Sequence, residues 1–367
     1  MDILGIETSC DETAAAVVRS GREVLSNVVY TQIPLHQPYG GVVPEIASRA
    51  HVEKISQVVG DALKGRKVDA VAVTYGPGLS PALIVGLNAA KGLAKALDVP
   101  LIAVNHIEAH LHSPFLFDEG ESPLCGDPLE AAPALALAVS GGNTVWVDMP
   151  VYGKYEVIGE TLDDAAGEAF DKAAKLLELG YPGGLKIDRI ARAYMERDRG
   201  GEELIPFPKG RPREGVTALA GLPAELCVSF SGLKTALLRY VQQHPELLNG
   251  NEERLDFGGY EVTPAIARTV ASYQEAIVQA IADRTRTALK RRRYRSFILG
   301  GGVSLNSRLR EVLAKVCAAA GVPLLMAKPK YTGDNGAMIA ALAYYRRNLT
   351  GDAAMRLDVA PSLQMGD

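Results

Sequence analysis

Two histidines stand four residues apart, a spacing that could do chemistry. His106 and His110 follow an apolar run at 101–104 that predicts a short buried strand. If a helix begins after that strand, both imidazoles project from one face, one turn apart. Two imidazoles so placed can hold one metal ion. A third ligand has to come from far along the chain, and Asp334 is the candidate.

Asn105 and Glu108 predict how the histidine helix begins. Asn105 predicts the N-cap, and Glu108, three residues later, completes a capping box. Glu108 is about 200° round the helix from His106, so it points away from the metal face. The glutamate base of an H-E-x-x-H zinc protease is placed differently. Without further ligands, the histidine pair is equally consistent with a half-exposed helix that binds nothing.

Small-residue turns follow several predicted strands. The segments at 7–13, 140–144 and 300–303 could each bring backbone amides close to a phosphate, because small residues and glycines permit close approach. One such turn is weak evidence, since turns of this kind also close ordinary hairpins. The pattern strand, turn, strand occurs twice, at 3–18 and at 134–148. This repetition predicts a duplicated α/β fold with a cleft between its halves.

Two charged clusters have alternative explanations. Asp163, Asp164, Glu168 and Asp171 crowd the start of a predicted helix, where acidic residues complement the helix dipole. The alternative is a wall of carboxylates facing the cleft. The basic run 290–293 ends another long helix, where it also complements the dipole, and the alternative is contact with an RNA backbone. The residues that could extend such a basic patch are Lys209, Arg211, Arg213 and Arg295.

The composition suits two ordinary domains. The chain has 367 residues, 47% of them hydrophobic, and a net charge of -4, which excludes a uniformly basic nucleic-acid binder. Four scattered cysteines without a C-x-x-C pair indicate reduced thiols. No signal peptide or membrane-length apolar run is apparent, so we expect a cytoplasmic protein without a membrane contact. We predict an N-terminal lobe at 1–128, a C-terminal lobe at 129–349 and a tail at 350–367, with an acidic, proline-bearing linker at 117–133.

The ordered motifs of the chain resemble those of a known family, the tRNA threonylcarbamoyladenosine transferases of the bacterial TsaD type. The resemblance spans essentially all of residues 1–345. The motifs are GIETSCDET at 5–13, GGVVPE at 40–45, NHIEAH at 105–110, VSGG at 139–142, DDAAGEAFDK at 163–172, YPGG at 181–184, SFSGLKT at 229–235, GGGVS at 300–304 and GDNGAM at 333–338.

The resemblance implies a fold and a reaction. The fold is the duplicated two-lobed architecture of actin-like, sugar-kinase-like and Hsp70-like ATPases. The reaction transfers a threonylcarbamoyl group from threonylcarbamoyl-AMP to the exocyclic amine of the adenosine 3′ of the anticodon. The tRNAs are those that read codons beginning with A. The implied partners are tRNA and, in a bacterial system, a shorter paralogue of the TsaB type and a small P-loop ATPase of the TsaE type.

The resemblance also implies site residues. One divalent metal ion per subunit would lie on His106, His110 and Asp334. The resemblance favours Fe²⁺ with Zn²⁺ as the alternative, and the ligand set alone does not choose between them. Threonylcarbamoyl-AMP, ATP or AMP would occupy the cleft. Independently of the resemblance, our hypothesis for the base that accepts the proton of the attacking amine is Asp11 or another cleft carboxylate. The implied substrate-binding residues are Val139, Ser140, Gly141, Gly142, Asn143, Asp171, Gly184, Asp188 and Asn306.

The chain departs from the family pattern without losing a metal ligand. Asn143 stands where the family commonly has histidine, which argues against carrying a histidine role over. Tyr331-Thr332-Gly333 precedes Asp334 where many members have Cys-Thr, so the local turn could differ.

Three other functions compete with the transferase. A small-molecule kinase of the same superfamily would hold magnesium on carboxylates rather than on imidazoles. A metallopeptidase would need a base that Glu108 does not supply. A non-catalytic partner scaffold would not need the ligand set His106, His110 and Asp334.

Overall fold

The computed structural model describes residues 1–197, 203–212, 221–250 and 252–366. Arg213, one of the predicted basic-patch residues, lies outside these ranges. The strands are β1 (Asp2–Glu7), β2 (Glu12–Arg19), β3 (Glu23–Thr31), β4 (Ala70–Gly76), β5 (Leu101–Asn105), β6 (Phe117–Asp118), β7 (Ala134–Val139), β8 (Thr144–Met149), β9 (Glu156–Glu160), β10 (Leu255–Asp256), β11 (Glu261–Val262), β12 (Ser296–Gly300) and β13 (Leu324–Met326).

The helices lie between and after these strands. They are α1 (Ile33–His36), α2 (Pro44–Leu63), α3 (Ser80–Leu97), α4 (His106–His112), α5 (Ala166–Leu176), α6 (Gly183–Arg197), α7 (Ser231–Gln243), α8 (Glu246–Asn249), α9 (Pro264–Leu289), α10 (Ser307–Ala320), α11 (Gly336–Tyr345) and α12 (Asp352–Arg356). Within the described ranges, none of them is long and apolar enough to cross a lipid bilayer.

Two sheets share one topology. The first has the order β5-β4-β1-β2-β3-β6, and the second has the order β13-β12-β7-β8-β9. In each sheet three consecutive strands form an antiparallel meander, and two later strands add in parallel beside its first strand. The structure therefore confirms the duplicated, two-lobed α/β fold, because the same strand order arises from two separate stretches of chain.

Asn105, Ser80, Thr263 and Asn306 each stand before an apolar segment, so the sequence predicts that each caps a helix. The structure confirms three of these four caps. Asn105, Thr263 and Asn306 each accept a backbone N–H from the first turn of their helix. Ser80 is instead the first residue of α3, and Leu79 occupies the N-cap without a side-chain hydrogen bond. The four cysteines are free thiols, as predicted.

Helix α11 packs against the first sheet although it lies in the predicted 129–349 lobe. It is apolar nearly all round, and Met338 and Ile339 share a buried cluster with Ile3 of β1. Gly5 permits this contact, because a Cβ there would lie 2.2 Å from the carbonyl oxygen of Gly336. The chain thus returns to its first lobe at its end, and this return brings the segment before α11 to the histidine helix.

Candidate metal centre and ligand cleft

The structure brings the three predicted metal ligands together. His106 and His110 project from α4, and Asp334 lies in the turn before α11. The Asp334 Oδ1 lies 3.0 Å from His110 Nε2 and 3.6 Å from His106 Nε2. One ligand atom from each residue falls within 4.8 Å of the others. The side chains of the two histidines are buried, and that of Asp334 is 18% exposed. This spacing could hold one ion and leave a side open to the cleft.

The donors of this cluster fit a metal ion. Within the described chain, neither ring nitrogen of the buried His110 has a hydrogen-bond partner of good geometry, although Asp334 is close. A buried imidazole without a partner is costly unless another group satisfies it. Two imidazoles and one carboxylate are a donor set that suits Fe²⁺ or Zn²⁺.

His106 is held by a second carboxylate that the sequence analysis missed. The Nδ1 atom of His106 lies 3.1 Å from Glu7 Oε2 and 3.2 Å from Ser9 Oγ. Glu7 is fully buried and also accepts hydrogen bonds from the Ser9 amide and the Thr74 hydroxyl. A carboxylate at one ring nitrogen fixes the orientation and tautomer of a ligating histidine, so that Nε2 faces the ion. The available indication was a glutamate at the end of a buried apolar strand, where an unpaired charge is rare.

The electrostatics of the cluster favour positive charge. Burial opposes ionisation of Asp334, but the two histidines outweigh it and lower its pKa to about 2. Burial likewise opposes a charged imidazole at His106, but Glu7 and Asp334 outweigh it and raise its pKa to about 9. Burial of Glu7 is outweighed in the same way by His106, and the pKa of Glu7 is lowered. The two carboxylates therefore stabilise a cation between them.

Two caps and one glycine fix the elements that carry the ligands. The Asn105 Oδ1 accepts the Ile107 and Glu108 amides at 2.8 and 3.3 Å, so α4 begins directly where β5 ends. Asn335 caps α11 and donates to the Gly333 carbonyl oxygen at 2.7 Å, which holds the backbone on both sides of Asp334. A Cβ at Gly300 would lie 2.4 Å from the His110 carbonyl oxygen. The second sheet therefore ends against α4.

The glycines of the predicted ligand turns divide into two groups. Among the described residues, nothing lies within 4 Å of a Cβ built at Gly141, Gly142, Gly184 or Gly302. By contrast, a Cβ at Gly301 would lie 2.4 Å from the Val139 carbonyl oxygen, and Gly300 packs against α4. Only the first group leaves space where a ligand could meet the backbone.

Most of the remaining predicted substrate residues already make hydrogen bonds within the protein. Asp171 accepts the Gly183 amide at 2.7 Å, and Asp188 accepts the Ser307 amide and hydroxyl at 3.0 and 2.8 Å. Asn306 caps α10 and donates to Gln274 at 2.7 Å. In the turn after β7, the buried Val139 precedes Ser140 and Asn143, whose backbones are joined by a 2.8 Å hydrogen bond. Their roles in binding stay predictions.

Asp11 reaches the cleft from the first lobe. It is 8% exposed. Burial raises the pKa of Tyr181, and the next contributions come from the charges of Asp11 and Asp171, one from each lobe. The lobes also touch here, because Gln37 donates to the Tyr181 carbonyl oxygen at 3.0 Å. The structure thus gathers two carboxylates near Tyr181, between the lobes.

The acidic start of the α5 region is explained mainly by local structure. Asp163 accepts hydrogen bonds from the Phe230 and Ser231 amides and from the Ser229 and Ser231 hydroxyls, at 2.5 to 3.1 Å. It therefore fixes the beginning of α7. Asp164 and Glu168 pair with Lys172 at 2.6 and 2.8 Å. The charge of Asp171 contributes to the raised pKa of the interlobe residue Tyr181.

The basic run 290–293 lies at the far end of the second sheet. It precedes β12, whose other end, Gly300, contacts α4. Four steps of about 3.3 Å separate the two ends of this five-residue strand by roughly 13 Å. Arg292 lies 3.5 Å from Asp148. An RNA contact of this run would therefore be made away from the metal centre, and it stays a prediction.

Two sheets of one topology and a histidine–carboxylate centre define the class. The protein is a two-lobed α/β protein with one sheet topology repeated in both lobes and a candidate metal centre between them. The family model described as tRNA N6-adenosine threonylcarbamoyltransferase, TsaD, matches residues 23–341, and the chain belongs to that family.

Full-length relatives agree with the family model. The chain is 44% identical over 370 residues to the tRNA N6-adenosine threonylcarbamoyltransferase of Clostridium perfringens (strain SM101 / Type A), covering 100% of this chain and 98% of the relative. It is 42% identical over 372 residues to that of Clostridium botulinum (strain Kyoto / Type A2), with the same coverage. Among solved structures, component A of the (R)-2-hydroxyglutaryl-CoA dehydratase of Acidaminococcus fermentans is 12% identical, with a TM-score of 0.49 over 94% of this chain and 98% of that chain.

The family membership decides the reaction class. The protein is a tRNA-modifying transferase that acts on the N6 amine of adenosine, and tRNA is its substrate. The kinase, peptidase and scaffold alternatives are not favoured, since relatives of matching length carry the transferase name.

Proposed function

We propose that the chain transfers the threonylcarbamoyl group of threonylcarbamoyl-AMP to the adenosine 3′ of the anticodon, in tRNAs that read codons beginning with A. We propose further that one divalent ion on His106, His110 and Asp334 takes part. The observation that carries this proposal is the convergence of these three ligand atoms within 4.8 Å at the edge of the cleft. The donor set accepts both Fe²⁺ and Zn²⁺, and we take Fe²⁺ as the favoured ion because of the family resemblance.

Different groups of the protein would bind the donor and accept the proton. A bound ion supplies Lewis-acid stabilisation to oxygens of the adenylate donor. Gly141, Gly142 and Gly184 leave room for the donor, or for ATP or AMP, to lie against the backbone of the second lobe. Asp11 approaches from the first lobe and is our candidate for accepting the proton of the attacking amine.

The primary test is nucleoside mass spectrometry of a tRNA that reads a codon beginning with A. The tRNA is incubated with threonylcarbamoyl-AMP, the protein and its proposed bacterial partners, a shorter TsaB-type paralogue and a TsaE-type P-loop ATPase. We expect N6-threonylcarbamoyladenosine with the wild-type chain and not with a His110→Ala chain. Absence of product beside an active family member would overturn the proposal and turn attention to Asn143. We also propose a cytoplasmic location, where such a tRNA is available.

A second test addresses the proton acceptor. Asp11→Asn keeps the size of the side chain and removes its basicity, so we expect the rate of transfer to fall by about 100-fold while metal content is unchanged. Asp171→Asn serves as the comparison, since both carboxylates lie near Tyr181. Undiminished turnover of the Asp11→Asn chain would refute the assignment of the base.

A further inference from the structure

The last residues of the chain lie against the helix that carries the histidines. Thr350 forms an antiparallel bridge with Ile102 of β5, and α12 follows. The segment 358–366, here called the C-terminal brace, then runs along the ends of β4 and β5. The Ala360 amide donates to the Tyr75 carbonyl oxygen at 2.8 Å, and the Gly78 amide donates to that of Pro361 at 3.1 Å.

The brace contacts the start and the middle of the segment that carries the two histidines. The Asn105 side chain donates to the Gln364 carbonyl oxygen at 2.9 Å, and Asn105 is the cap directly before His106. The Gly366 amide donates to Glu108 Oε1 at 3.0 Å, and Glu108 lies between the two histidines. Met365 packs in the buried cluster that contains Ile107.

Glu108 completes this arrangement through a buried charge pair. Its Oε2 lies 3.2 Å from Arg346 Nη1, and the two side chains are only 2% and 15% exposed. Arg346 also donates to the Gly153 carbonyl oxygen of the second lobe at 2.6 Å. Glu108 was predicted as part of a capping box, and these partners were not part of that prediction. Removing one member of a buried pair leaves an uncompensated charge.

A second series of contacts connects the brace to His106 through the turn at 7–13. A Cβ at Gly76 would lie 2.0 Å from the Ala360 carbonyl oxygen, so only glycine lets the brace lie this close. Beside it, the Leu79 amide donates to the Ser9 carbonyl oxygen at 2.8 Å. The Ser9 hydroxyl in turn lies 3.2 Å from His106 Nδ1.

Helix α4 needs such support. It has seven residues, and a helix of that length has little stability of its own in water. Its direction is therefore set by what it touches. We propose that the C-terminal brace, acting through Asn105 and Glu108, positions α4 so that His106 and His110 present their ligand atoms to one ion. This inference rests on the proposed metal centre.

The test compares a chain that ends at Leu363 with the full chain. The shortened chain loses the contacts of Gln364 and Gly366 with α4 but keeps those of Ala360 and Pro361 with β4 and its turn. Asp367→Ala is the full-length control. Affinity for Co²⁺ is measured by competition with a chelator, together with the Co²⁺ absorption spectrum. We expect the affinity to fall by about tenfold or more, with an altered spectrum, as for loss of other groups that orient ligands.

Two substitutions separate positioning from general stability. Glu108→Gln keeps an acceptor for the Gly366 amide, whereas Glu108→Ala loses it, so the alanine chain should bind Co²⁺ more weakly. Glu311→Gln makes the same chemical change in an exposed pair with Arg308 and should leave Co²⁺ binding unchanged. Equal affinity and spectrum in all chains would overturn the brace. A loss of affinity that only follows a lowered Tm of the metal-free protein would overturn it as well.

Hydrogen exchange keeps this test distinct from that of the metal centre. In the metal-free chain that ends at Leu363, we expect faster exchange of the α4 amides and unchanged exchange in β1 and β4. If the full chain takes up no Co²⁺, the proposed metal centre fails, and slower exchange of α4 in the full chain would still show the brace at work. Identical exchange in both chains would refute the brace whatever the metal result.

Discussion

The two strand–turn–strand units have the same topology, but the first turn is packed with its own side chains and the second turn is open. In the first, Glu7 and Ser9 are buried and tied to each other and to His106. A Cβ at Gly86 of α3 would lie 2.2 Å from the Thr8 hydroxyl oxygen, so helix α3 packs tightly on this turn. In the second unit, Gly141 and Gly142 are exposed and face open space among the described residues.

This difference teaches that the shared fold does not fix the use of its turns. The first turn is filled with its own side chains, so it serves as a rigid support beneath a histidine. The second turn exposes backbone amides with no side chain in the way, so it can receive a ligand. A chain that places the two turns on opposite sides of one cleft can therefore hold an ion on one side and a nucleotide on the other.

The largest effect on metal content and on transfer should come from substituting the proposed metal ligands. His110→Ala and Asp334→Ala each remove one of three donors, so we expect metal content to be lost and transfer to fall by well over the roughly 100-fold known for supporting residues. Metal analysis and nucleoside mass spectrometry measure both quantities. His244→Ala is the control, because that histidine is exposed and pairs with Glu246 at 2.9 Å. Full metal content in the Asp334→Ala chain would show that this carboxylate is not a ligand.

The support beneath His106 should matter next. Glu7→Gln keeps the size of a buried side chain but removes the charge that faces Nδ1, so we expect metal affinity to fall about 10- to 100-fold. The KM for threonylcarbamoyl-AMP should stay near its wild-type value, because the second turn is untouched. Chelator competition and donor titration check the two parts. A raised KM with unchanged metal affinity would show that the first turn serves donor binding and not the support of a metal ligand.

The open turn should show the converse behaviour. Gly141→Ala and Gly142→Ala place a methyl group where a ligand would approach, and we expect KM for the donor to rise about tenfold, or about 1.4 kcal/mol. The Tm should not change, since nothing in the described chain lies within 4 Å of either Cβ position. Gly92→Ala, equally open but on α3, is the control. Wild-type donor affinity in both turn variants would rule out ligand contact at this turn.

The smallest effect concerns a contact outside both turns, between Asp118 of β6 and the segment before α11. Burial opposes the charge of Asp118, but hydrogen bonds from Lys330, Tyr331 and Lys328 outweigh it and lower the pKa of this carboxyl. A lowered pKa stabilises the folded state above the ordinary aspartate pKa of about 4, and the stabilisation is lost as pH falls below that value.

Asp118→Asn should therefore make the Tm of the protein less dependent on pH in acid. We expect its Tm to lie about 2 °C below wild type at pH 7 and to converge with it in acid, as followed by thermal unfolding at several pH values. Glu121→Gln removes only a more exposed partner of Lys328 and should have less effect. A constant difference between Asp118→Asn and wild type at all pH values would contradict this assignment.

Much of the fold and site follows from the sequence alone. The two strand–turn–strand units, the caps Asn105, Thr263 and Asn306, and the facing histidines are local patterns, and short-range geometry fixes them. The ordered motifs added the family, its reaction and the third ligand Asp334. The fold, the caps and the family are confirmed because each depends on residues that are neighbours in the chain or on a pattern that spans all of it. The ligand role of Asp334 stays a prediction.

Only the tertiary structure decided what surrounds those residues. Glu7 beneath His106, the pair Glu108 and Arg346, and the brace against α4 join residues from 99 to 259 positions apart. The same packing determined which glycines serve close contact, as Gly300 does against His110, and which leave room for a ligand. Such contacts are set by how helices and sheets stack, and the order of residues along one element carries no record of its distant neighbours.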